Sequence, residues 1–116
     1  MDTKVQSAQA QRIRELNDQL RTTFFQRHGR VLITSGVDAL DIQKKVRIVA
    51  KVKSFDDFDS GNDPHRQHDF GSFEIDGQTI FWKIDYYTPT LDGGSEDPAD
   101  PDMTTRVLTI MLAEEY

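Results

Sequence analysis

Asp76-Gly77 stands between two runs of alternating side chains, and no other dipeptide in the chain restricts the fold as tightly. A two-residue turn of this composition needs positive φ at both positions and joins two antiparallel strands in a set register. The flanking segments, roughly His68–Ile75 and Thr79–Thr88, therefore read as a hairpin. Along the second strand Ile80, Trp82, Ile84 and Tyr86 point one way, and Phe81, Lys83, Asp85 and Tyr87 the other. The first set is the expected core face, and the second is an aromatic and charged surface.

The hairpin needs further layers to fold onto, and the rest of the chain offers them. Ile13, Leu16, Leu20 and Phe24 recur at three- and four-residue steps, which predicts a helix from about Ser7 to Arg27, closed by Gly29. Its arginines Arg12, Arg14 and Arg21 are assigned to the polar side. Val31–Thr34 is a short β-type run ending at Ser35-Gly36. A second helix follows from Asp38 or Asp41 to Ser54, with Ile42, Val46, Val49, Val52 and Phe55 as its apolar stripe and lysines in its last turn. Thr104–Ala113 is apolar at both parities and reads as a closing strand covered on both faces. The fold class is α+β: two helices packed on an antiparallel sheet of about four strands, in the order α-β-α-β-β-β.

One hundred and sixteen residues suit one core, taken as a single domain over 7–116 behind a flexible start at 1–6. With no cysteine there is no disulfide frame and no thiolate chemistry. No apolar run is long enough to span a bilayer and the polar start is not a signal peptide, so a cytoplasmic location is expected. The net charge of −6 hides a split. Residues 1–55 hold 11 Lys and Arg against 5 Asp and Glu, a formal +6, while residues 56–116 hold 3 against 15, a formal −12. The negative half concentrates in two irregular stretches, 56–67 and 89–102; the latter has three prolines, two glycines and five acidic residues.

Chemistry has two places to sit. Asp63, His65, His68 and Asp69 lie within seven residues and are ligand types for zinc, nickel or non-haem iron. The same side chains also suit turn capping around Asn62-Asp63-Pro64. A histidine oriented by Asp69 or Asp85 would serve as a general base, yet no serine elbow, phosphate loop or nucleophilic lysine motif accompanies it. No cofactor is expected unless a divalent metal occupies those four residues. The other place is a binding surface. Acidic residues Asp56, Asp57, Asp59, Asp97 and Asp100 surround aromatic anchors, with Phe58, Phe81, Lys83, Asp85 and Tyr87 as candidate partner contacts. Acidic loops repel phosphate, so direct nucleic-acid binding is disfavoured.

FDDF (Phe55–Phe58), NDPH (Asn62–His65), HDFG (His68–Gly71), FWKIDYY (Phe81–Tyr87) and RVLTIMLAEEY (Arg106–Tyr116) together form a specific set. From about Ile13 to Tyr116 the chain resembles a bacterial family of small proteins catalogued as a domain of unknown function and frequent on plasmids and other mobile elements. Thr88 departs from that pattern, in which Asp is common. The resemblance transfers no catalytic residue. It implies a context in which small acidic proteins bind host proteins, restriction or CRISPR machinery among them. The leading expectation is thus a non-enzymatic, protein-binding inhibitor of a host defence or nucleic-acid-processing complex. The alternative is a metal-dependent or His/Asp acid–base enzyme centred on NDPHRQHD.

Overall fold

The computed structural model describes residues 3–116. Helix α1 spans Thr3–Thr23, strand β1 Gly29–Ile33, a single-turn helix α2 Ser35–Asp38 and helix α3 Ile42–Ser54; strands β2 Phe70–Ile75, β3 Gln78–Tyr87 and β4 Thr105–Leu112 complete the fold. The sheet order is β1-β4-β3-β2. Strands β2, β3 and β4 form the expected antiparallel meander, but β1 adds to β4 in parallel, so the α+β sheet is mixed rather than antiparallel throughout; no local turn joins β1 to its neighbour to set its direction. The turn at Asp76-Gly77 has φ of 51° and 79°, the two left-handed values its register requires. The expected flexible start lies partly outside the described residues, and its described part is helical from Thr3. Among the described residues no helix is long and apolar enough to cross a membrane.

Strand β4 is central, and its residues are buried at both parities except for a half-buried Thr109. The core joins Leu20 of α1, Ile48 and Val52 of α3, Ile80, Trp82 and Ile84 of β3, and Leu108 and Ile110 of β4. Burying each of these side chains contributes about 1.5–3 kcal/mol. Trp82 is the largest and is wholly buried, with Phe55 and Phe58 edge-on at centroid distances of 5.5 and 6.1 Å. Gly71, its cross-strand neighbour, is required by contact: a Cβ there would lie 2.2 Å from the indole Nε1.

Two further sequence expectations need correction. On α3 the buried stripe runs through Ile48 and Val52, whereas Ile42 and Val46 are 68% and 60% exposed. This helix is apolar on two sides, and periodicity cannot say which of them meets Trp82. Arg21 is also not a solvent-face cation, being 3% exposed. Its guanidinium donates to the carbonyls of Val52 (2.9 Å) and Phe55 (2.8 Å) and lies 5.2 Å from the Trp82 ring centroid. A cation at the C-terminal end of α3 meets both the orphan carbonyls and the negative end of the helix dipole.

Candidate functional site

Both acidic stretches are fastened to one end of the sheet by a buried polar hub. Asn17 falls on the apolar stripe of α1, one turn from Ile13 and Leu20, and is fully buried. Its amide donates to Gln67 O at 2.9 Å and to the Tyr86 hydroxyl at 2.8 Å, and its carbonyl accepts from Arg106 Nε at 2.6 Å. Arg106, fully buried on β4, donates onward to the carbonyl of Pro98 and lies 5.1 Å from the Tyr86 ring centroid. Gln67 belongs to the first acidic stretch and Pro98 to the second. Desolvation lowers the Arg106 pKa to about 10 and raises that of Tyr86 to about 12, as expected for ionisable groups deprived of water. Arg106 Nη1 has no hydrogen-bond partner.

The second stretch is internally tied. Thr104 Oγ1 donates to Asp97 O, Ser95 Oγ to Met103 O, and Tyr87 bridges to Gly94. The first is closed by His68, whose ring stacks on Phe58 at 3.7 Å with an interplanar angle of 5°. Its Nδ1 lies 2.9 and 3.1 Å from the two carboxylate oxygens of Asp18 on α1, and its Nε2 is 3.5 Å from Asp63 Oδ2. Buried Asp63 also accepts the backbone N–H groups of Gln67 and His68. Arg66 and His68 adopt left-handed φ of 58° and 54°, strain of about 1–2 kcal/mol each that these tertiary contacts hold in place. A polar cleft of about 470 Å³ lies alongside, lined by Arg14, Ser60, Arg66 and His68 among others.

This geometry decides what the NDPHRQHD residues can do. A general base must aim its second imidazole nitrogen at a substrate, but here that nitrogen faces a buried carboxylate already engaged with the backbone. Of the four metal candidates, Asp63 and His68 are in direct contact, and Asp69 is near enough to Asp63 to feel its charge. His65 is exposed, and Asp69 is half-buried with its carboxyl pKa raised, chiefly by burial. Among the described residues no three His, Asp or Glu side chains converge as a metal-ligand set. The contacts of His68 clamp the loop to α1.

The structure separates the candidate partner contacts. Phe81, Lys83, Asp85 and Tyr87 lie on the sheet face opposite the helices, where Lys83 Nζ is 2.8 Å from Asp85. That ion pair lies along one strand rather than across the sheet, and it raises the Lys83 pKa. Phe58 is turned inward against His68 and Trp82. Asp56, Asp57, Asp59, Asp97 and Asp100 are on the two fastened loops, and none of them is within ion-pairing distance of a cation among the described residues. Sequence reasoning missed Asn17, Asp18, Tyr86 and Arg106 as the residues that hold these loops. Polar residues at 17 and 21 on an otherwise apolar helix stripe, and an arginine inside an apolar strand, were the available signals.

No curated protein and no solved structure matches the chain. Residues 33–115 match the family model described as "Protein of unknown function (DUF3768)", and the chain belongs to that family.

Proposed function

We propose that the protein is a non-enzymatic binding protein whose two acidic loops contact a basic surface of another protein. The observation that carries this reading is the Asn17–Arg106 hub, which ties both loops to one end of the sheet while Asp56, Asp57, Asp59, Asp97 and Asp100 form no ion pair among the described residues. Loops held in place lose little entropy on binding, and unneutralised carboxylates steer a cationic partner. The narrower reading is a cytoplasmic inhibitor encoded on a mobile element, which occupies a nucleic-acid-binding groove of a host defence complex. It is supported by the same charge and by the family resemblance.

The test is affinity capture from the native host with wild-type protein and with a variant reversing Asp56, Asp57, Asp59, Asp97 and Asp100 to lysine. A partner that elutes with salt, escapes the variant and is displaced by DNA is the expected result. Capture that survives charge reversal with unchanged salt dependence would refute the acidic-loop reading.

A further inference from the structure

One face of the sheet carries α1 and α3; the opposite face is bordered by Leu91 of the second acidic stretch and by Tyr116, and its β4 residues Val107 and Met111 are 7% and 4% exposed. A groove of about 630 Å³ runs along β1 and β4 on that opposite face, with Leu32 and Leu91 exposed at its margins and Val107 and Met111 in its floor. Tyr116, 77% exposed, closes one end by packing edge-on against Phe70 and Phe81. We propose that this face is the interface of a homodimer, its occupant a second copy of the same chain packed sheet on sheet. The proposal does not rest on the acidic-loop reading: Leu91 of the second acidic stretch borders the groove, but none of the five aspartates of that reading lines it.

Charge is the first argument. The chain carries −6 overall, so copies repel through most of their surface. The charged side chains lining this groove are Arg30, Lys83, Asp85 and Glu115, two of each sign. Lys83 and Asp85 neutralise each other within the protomer. Among the described residues the Arg30 guanidinium has no ion pair. Glu115 accepts from the Thr34 hydroxyl (2.6 Å) and the Gly36 N–H (3.0 Å) but forms no ion pair among the described residues.

Register is the second. Leu32, Thr109 and Lys83 form one row across the sheet; Arg30, Val107 and Asp85 form the row on one side of it, and Met111 and Phe81 continue the row on the other side, level with Thr34. A twofold axis along the Leu32–Thr109 row turns the second sheet over end for end. Leu32 then meets the partner's Leu32, Val107 the partner's Met111, and Arg30 the partner's Glu115, while Lys83, on the same axial row and neutralised by Asp85, faces the partner's Lys83. Such isologous matching is what a cyclic dimer requires.

Size is the third. Four strands about 4.8 Å apart, with eight residues of about 3.4 Å each in β4, make roughly 500 Å² in projection. That projection lies a little below the roughly 600 Å² per partner at the low end of specific interfaces.

Sedimentation equilibrium from about 1 to about 500 µM tests this, since a self-association must follow mass action. Wild type is expected to shift from monomer toward dimer over that range. Leu32→Glu, at a site half-exposed in the protomer and so compatible with folding, places two carboxylates on the axis and should weaken the dimer at least about a hundredfold. Arg30→Glu should weaken it less. Ile42→Glu on α3 should leave it intact, and circular dichroism would verify that all three variants are folded. The inference is overturned by a monomer at every concentration, by a dimer indifferent to Leu32→Glu, or by one that Ile42→Glu dissolves.

Discussion

Replacing Gly71 with alanine adds one methyl group at the most crowded point of the core. An ideal Cβ there would lie 2.2, 2.5 and 2.7 Å from Nε1, Cε2 and Cζ2 of Trp82. Relief to an ordinary contact of about 3.5 Å demands more than about 1 Å of movement by backbone or indole. The indole is wholly buried between Phe55, Phe58 and the Arg21 guanidinium, and that guanidinium is itself held by two carbonyls at the end of α3. Overpacking of a well-filled site costs about 1–3 kcal/mol, and the lack of slack here argues for the upper end. Alanine's smaller unfolded-state entropy returns about 0.5–1 kcal/mol, leaving a net loss of roughly 2 kcal/mol. For a chain of this length that corresponds to a Tm lowered by about 8 °C. Thermal and urea unfolding would measure it, with Ser72→Ala on the exposed side of the same strand as a control expected within about 0.5 kcal/mol of wild type. An unchanged or raised Tm for Gly71→Ala would mean that Trp82 can move freely, and the account of the core would fail.

Asn17→Ala strips Arg106 Nε, Gln67 O and the Tyr86 hydroxyl of a partner at once and should cost about 2–4 kcal/mol. Limited proteolysis should then cut faster in both acidic stretches; acceleration in only one would break the idea of a shared hub. Burial holds the Asp69 carboxyl above its ordinary pKa of 3.8. Such a group stabilises the fold while protonated, below the unfolded pKa, and that contribution is lost as pH rises through the folded value. Asp69→Asn should therefore raise Tm near neutral pH, with the advantage closing as pH falls below the ordinary value; a gap that widens in acid contradicts the sign. On α3, Ile48→Ala should cost about 2–4 kcal/mol while Ile42→Ala and Val46→Ala cost little, and a reversed ranking from urea melts would restore the stripe read from periodicity.

Local rules explain what was legible in the chain. The Asp76-Gly77 turn, the alternation of β3, the apolar run of β4 and the Asp41 cap of α3 depend on backbone geometry and near neighbours, and all four are found where residue pattern places them. That pattern determined an α+β chain with two long helices, a β2-β3-β4 meander and two acidic irregular stretches. It could not determine which of two apolar sides of α3 turns inward, nor that β1 runs parallel beside β4, because both depend on contacts between elements distant in sequence. The histidine cluster shows the same limit. His68 takes its role from Asp18, fifty residues earlier on α1, and not from Asp69 next to it. Arg106 likewise becomes a loop anchor only when β4 carries it beneath Asn17, eighty-nine positions away. Hydrogen bonds and desolvation act over a few ångströms of space, so the site could be decided only once the tertiary fold had set those distances.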